Sequence, residues 1–278
     1  MITKRLALLS ALSLLLAHGL NAQTVNTLKT LAGGGKANGD GMTAVNAVLG
    51  SPQGLNLDAT GNLYIADKAN HHIRKVSVGT NLISTIAGTG SGIYAGVGGT
   101  AISTAIPNPE DVAVDGSGNV YITSGNRIFR IDQSTNVVSL IGGDGSRFGT
   151  SGFSDVGKGL FNAPTGIAVD AAGNVYVADK GNHRIRKITP SGVVSTVAGS
   201  GTAGLSGDGA AALSAKLNNP YDVALDTAGN LYITDQGNHR VRMVAAAARL
   251  LLQRSPLRPT VLWLSPIPAP ERFAKAAL

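Results

Sequence analysis

The 278-residue chain contains no cysteine, which excludes a disulfide framework, a thiolate metal site and a cysteine nucleophile. Charged side chains make up only 14% of it and aromatic ones 4%, with a single Trp. Against an apolar content of 43%, that sparse charge argues for a packed core rather than disorder. Long apolar runs are missing after Ala17. None approaches the roughly 20 residues that cross a bilayer, so no membrane span is expected. The formal charge of +7 is also absent from the body of the chain: Lys4 and Arg5 at the front, and Arg249, Arg254, Arg258, Arg272 and Lys275 against Glu271 at the back, hold nearly all of it. Residues 24–244 are left close to neutral. A phosphate backbone needs a concentrated cationic surface, so nucleic acid is not an expected partner.

What is abundant is glycine, at 37 residues, a composition suited to many short strands joined by tight turns. The first residues, "MITKRLALLSALSLLLAHGLNAQ", run from two cations through an apolar stretch, Leu6 to Ala17, to a small residue at Ala22. That is the order of a secretory leader over residues 1–22, and it predicts a mature protein that is secreted or periplasmic.

Four segments repeat: "PQGLNLDATGNLYIADKANHHIRKV" from Pro52, "PEDVAVDGSGNVYITSGNRIFRI" from Pro109, "PTGIAVDAAGNVYVADKGNHRIRKI" from Pro164 and "PYDVALDTAGNLYITDQGNHRVRMV" from Pro220, 55 to 57 residues apart. In the third, "GIAVD" and "NVYVAD" read as strands around "AAGN", whose glycine suits a tight turn that needs positive φ, followed by "HRIRKI" and "GVVSTVAG". Each unit is thus a four-stranded antiparallel sheet. Val175 and Val177 alternate with Tyr176 and Ala178, so both faces of that sheet are apolar and both must be covered. Stacking such sheets around an axis achieves this, and the expected fold is an all-β propeller with four countable blades over residues 23–244. "TLKTLAGGG", residues 27–35, matches the fourth strand of the later units and is expected to complete the last blade and close the ring. The repeat stops after Val244, and residues 245–278, rich in Pro, Arg and Leu, read as a foreign end from a shifted reading frame or as a tail that packs on the propeller.

The pattern of a proline, an apolar strand and then D-x-x-G-N-[LV]-Y-[IV]-[AT]-D-x-x-N-H-R-[IV]-R resembles the NHL-repeat family of β-propellers over residues 27–244. The resemblance implies a platform for binding, most often of six blades, of which four countable ones make a partial ring. Some related six-bladed propellers are metal-dependent lactonases or lyases.

Asp67, Asn70 and His71 recur as Asp179, Asn182 and His183 and as Asp235, Asn238 and His239. A catalytic set converges on one point, whereas these are distributed by the blade rotation, so they are expected to brace the scaffold. Asp40, Asp144 and Asp208, each in a Gly-Asp-Gly context, raise calcium, but one or two carboxylates per connection fall short of its six to eight oxygens and each is expected to stabilise a turn. No metalloprotease, serine-hydrolase or phosphate-loop motif is present, and no cofactor is expected. Specificity is sought where the blades differ. Directly after each repeat proline stand Gln53 and Gly54, Glu110 and Asp111, Thr165 and Gly166, and Tyr221 and Asp222, which are expected to ring one mouth of the central channel and to contact a protein or glycan ligand. The alternative is a lactonase- or lyase-like enzyme with a channel-bound cation on Glu110, Asp111 and Asp222.

Overall fold

A computed structural model of the chain describes residues 28–36, 39–144 and 159–246. The expected leader and, apart from its first two residues, the expected tail lie outside the described residues. Among the described residues, fifteen strands form four consecutive antiparallel sheets, arranged as the blades of a β-propeller. Blade 1 holds β1 (Pro52–Leu57), β2 (Leu63–Asp67), β3 (His72–Val76) and β4 (Ile83–Ala87). Blade 2 holds β5 (Pro109–Val114), β6 (Val120–Ser124), β7 (Arg127–Ile131) and β8 (Val138–Gly142). Blade 3 holds β9 (Pro164–Val169), β10 (Val175–Asp179), β11 (Arg184–Ile188) and β12 (Val194–Ala198). Blade 4 holds, among the described residues, β13 (Pro220–Leu225), β14 (Leu231–Asp235) and β15 (Arg240–Val244).

The two-residue strand period divides each blade between its neighbours. In blade 2, Val112, Val120, Ile122 and Phe129 pack with Tyr64, Ala66 and Ile73 of blade 1, while Ala113, Tyr121 and Ile128 pack with Ile167, Val175 and Val177 of blade 3. Between blades 3 and 4 the cluster is Ala178, Ile185, Ala198, Leu217, Val223, Leu231 and Ile233. The hairpin between the first two strands of every blade is set by its Asp. Asp226 accepts the backbone N–H of Ala228 and Asn230, the Asn230 amide and the Tyr232 hydroxyl, at 2.7 to 3.1 Å. The Asn230 amide and backbone hold that carboxyl below the ordinary carboxylate range. Asp58, Asp115 and Asp170 repeat the arrangement.

The expected closing strand is not formed. Residues 28–35 form no strand, and among the described residues the fourth sheet is three-stranded with β15 at its edge. Instead Gly33 donates to the Ala44 carbonyl and Gly35 to that of Ala47. Ala32, Met42 and Leu49 pack on the face of blade 1 that has no blade before it. Burial of that apolar face competes with pairing to β15 and holds the segment at blade 1.

Candidate functional site

The "D-K-G-N-H-R-I-R" stretch resolves into scaffold. Asp179 is wholly buried and accepts the backbone N–H of Asn162 at 2.8 Å and the Asn182 amide at 2.9 Å, with the Arg186 guanidinium 3.8 Å away. Asp67 and Asp235 do the same with Gly50 and Asn70, and with Asn218 and Asn238. The following residues make a single 3-10 turn that ends on a histidine in the left-handed region, φ 57° at His71 and 54° at His183. That geometry aims Nδ1 at the next blade. His71 Nδ1 accepts the backbone N–H of Asn108 at 3.0 Å, and His183 Nδ1 accepts that of Asn219 at 3.1 Å. In blade 2 the role passes to Asn126, whose Oδ1 accepts the N–H of Ala163 at 2.9 Å. The histidines are therefore rivets between blades.

Two of the Gly-Asp-Gly carboxylates also serve the scaffold, though not as local turn braces. Asp40 accepts Arg74 at 2.9 Å and the Thr85 N–H at 2.9 Å, and Asp208 accepts Arg242 at 2.6 Å. Each pins a glycine-rich connection to the third strand of a blade over a sequence separation of about 34 residues. Spacing alone could not show so distant a partner.

All eight residues following the repeat prolines line one cavity of about 500 Å³, which runs along the inner strands β1, β5, β9 and β13. Their chemistry differs. Asp111 accepts the N–H of Val112 at 2.8 Å through Oδ1 and, through Oδ2, the N–H of Ile167 in the next blade at 2.9 Å. Burial pushes its carboxyl up to about 7 against the pull of those two donors, and the nearby charge of Asp222 adds to the rise. Asp222 is exposed, accepting the Val223 N–H at 2.8 Å. The Thr165 hydroxyl donates to the Tyr221 carbonyl. Gln53 is exposed.

Two lysines that sequence reasoning passed over complete the rim. Lys68 pairs with Glu110 at 2.7 Å, and Lys180 lies 4.9 Å from the centre of the Tyr221 ring. Both follow the buried Asp of the turn, so the signal was present in "ADK" of blades 1 and 3. The Glu110 pair is part-exposed and contributes at most about 1 kcal/mol to stability, but it removes the net charge that Glu110 would bring to the rim. Glu110 is thus turned to Lys68 and Asp111 to two backbone donors. Among the described residues no group of three His, Asp or Glu side chains is placed to hold a metal.

The raised carboxyl of Asp111 makes a signed expectation. Below its ordinary value of 3.8 the group is protonated in both folded and unfolded chains and contributes no pH dependence. From there to about 7 the unfolded chain ionises while the folded one stays protonated, so stability falls with rising pH and levels off above. The thermal midpoint should decline across that window, and Asp111→Asn should flatten the decline; an equally steep profile in the variant would count against the burial of this carboxyl.

The family model for the NHL repeat matches residues 49–76, 161–188 and 217–242. The chain is an NHL-repeat protein. The matched stretches are the blades that carry the turn histidine, His71, His183 and His239, and the unmatched blade 2 is the one whose turn is shortened to Ser124 and Gly125 and bridged by Asn126. Mouse (Mus musculus) teneurin-3 is 32% identical over 238 residues, covering 77% of this chain. Human NHL repeat-containing protein 3 is 27% identical over 158 residues, covering 52% of this chain and 41% of its own length. The chain spans only 9% of the length of teneurin-3. Among solved structures, a protein of unknown function from Bacteroides thetaiotaomicron aligns with a TM-score of 0.54 and 25% identity, over 70% of this chain and 47% of the other. An auxiliary nutrient binding protein from Bacteroides ovatus aligns at 0.51 and 19%, over 72% and 49%.

Proposed function

We propose that this NHL-repeat protein is a non-catalytic binding module, secreted or periplasmic, that holds a protein or glycan ligand at the mouth of its central cavity. One observation carries the reading. The residues that the blades share are consumed by hairpins, rivets and buried ion pairs, whereas the residues in which they differ, Gln53, Glu110, Asp111, Thr165, Tyr221 and Asp222, line a single cavity. A concave site with few convergent polar groups and one aromatic side chain is what a specific small epitope requires. The lysine pairing of Glu110 favours a neutral polar ligand or one with a single cation over a strongly charged one. The binding protein of Bacteroides ovatus, alike in fold, is compatible with this role and does not specify it.

Immobilised full-length protein screened against glycan and peptide libraries should give a hit that Tyr221→Ala and Asp222→Ala each weaken by roughly tenfold, about 1.4 kcal/mol, with an unchanged melting temperature. A hit that both variants bind as well as the parent would place the site elsewhere.

A further inference from the structure

Two of the junctions between described blades are fastened by an acceptor that acid can take away. An imidazole accepts a hydrogen bond on a ring nitrogen only while it is neutral, and the proton it gains falls on that lone pair. His71 Nδ1 holds the Asn108 N–H between blades 1 and 2, and His183 Nδ1 holds the Asn219 N–H between blades 3 and 4. In blade 1 the connection closes over the ring, since a Cβ on Gly92 would stand 3.1 Å from His71 Nε2. A ring packed on that edge has little room to turn aside once charged. The junction of blades 2 and 3 differs. Its acceptor is the Asn126 amide oxygen, which gains no proton in this range, and it is backed by the Thr123 hydroxyl on the Thr165 carbonyl at 2.6 Å and by Asp111 on the Ile167 N–H at 2.9 Å.

The acid-sensitive bonds and the cavity rim share the same short segments. Lys68 and His71 lie on one turn of blade 1, and Glu110 follows Asn108 by two residues, so the Lys68–Glu110 pair and the rivet cross the junction together. Lys180 and His183, facing Tyr221 and Asn219, repeat this between blades 3 and 4. The charged groups on the elements packed against the two histidines are already engaged. Around His71, Asp67 is bound by Gly50 and Asn70 with Arg74 at 3.7 Å, Glu110 by Lys68, and Asp111 by Val112 and Ile167. His72 adjoins it, and residues 88–100 of the connection carry no charge. Around His183, Asp179 faces Arg186, Arg184 reaches the Ser200 carbonyl, Asp208 of the connection takes Arg242, and Asp222 is exposed and accepts the Val223 N–H.

We propose that His71 and His183 form an acid-operated latch: protonating them loosens blade 1 from blade 2 and blade 3 from blade 4 at the entrance face, and so parts the cavity rim at Glu110 and at Tyr221, while blades 2 and 3 stay fastened. As a means of releasing ligand the latch rests on the reading of that cavity as the binding site; as a latch it rests on the rivets alone.

Backbone amide exchange of the full chain, read by NMR at about pH 7.5 and about pH 5 and corrected for intrinsic rates, reports the rivets one by one. On acidification, protection at Asn108 and Asn219 should fall roughly tenfold more than at Ala163. The double variant His71→Asn/His183→Asn is the control. Asn carries its acceptor oxygen at the same place along the side chain as Nδ1, tolerates the left-handed backbone, and is what blade 2 uses, so both amides should become as indifferent to acid as Ala163. His72 and His239 remain in that variant, so their titration is common to both chains. If the double variant folds poorly, His71→Asn alone must cure Asn108 and leave Asn219 acid-sensitive. The peptide or glycan recovered in the library screen should leave the parent roughly tenfold faster at about pH 5, and the double variant at nearly one rate. Unchanged protection at Asn108 and Asn219 overturns the latch, as does an equal loss at all three amides or a loss that the variant shares. A bound hit that leaves parent and variant alike overturns its role in release. A screen without any Tyr221-sensitive hit removes the binding site instead, and the exchange measurement still decides the latch.

Discussion

Replacing Phe129 by alanine is expected to lower the unfolding free energy by about 3–5 kcal/mol. The side chain is wholly buried in β7, in the cluster that joins blades 1 and 2, with the Tyr94 ring 5.9 Å away. Its loss opens a cavity bounded by Ile122 and Ile73, both fixed in strands that cannot move inward without breaking their ladders. Arg127, stacked 3.9 Å over Tyr94, ties the glycine-rich connection to the same cluster, so the connection loosens with it. A urea titration followed by circular dichroism reads the change as a fall in midpoint. A loss below about 1 kcal/mol would mean that the blades do not depend on this junction.

Asp179→Ala is expected to have a similarly large effect by a different route. Three donors converge on that carboxylate, and one of them, Arg186, is 1% exposed and lies 5.8 Å from the centre of the Phe161 ring. Burial pushes the carboxyl up to about 6, against the opposing pull of Asn162, Asn182 and Arg186, so it is ionised at neutral pH. Removing it takes the Asp179 carboxylate from beside a buried guanidinium and breaks a buried ion pair, a change that costs about 3–5 kcal/mol. The same substitution frees the Asn162 N–H, and with it the chain entering β9. Thermal denaturation at neutral pH measures the loss. A melting temperature equal to the parent's would show that Arg186 is satisfied without Asp179.

Why some of this was readable beforehand and some was not follows from the range of each interaction. The hairpin Asp, its Asn and its Tyr lie within six residues of one another, so "DAAGNVY" declares the turn directly. The strand faces follow from alternation, and the entrance ring from the position of one proline in each repeat. The partners of Asp40 and Asp208 lie about 34 residues away, and nothing local marks which arginine each will take. Lys68 and Lys180 reach the cavity rim only because the 3-10 turn and the next blade set them beside Glu110 and Tyr221. Residues 28–35 carry the letters of a fourth strand, while the competing burial on blade 1 is visible only in three dimensions.

The rivets carry a consequence for how such a molecule can change over generations. A module of some 56 residues hands its successor one acceptor and offers one donor to its predecessor, and these bonds ask nothing of units further off. Gene duplication or loss of a whole module therefore preserves every local bond, and only the angle between sheets must adjust. Ancestral lengthening and shortening would be tolerated in steps of one unit, or of two where the glycine and aspartate entrances must keep their turn.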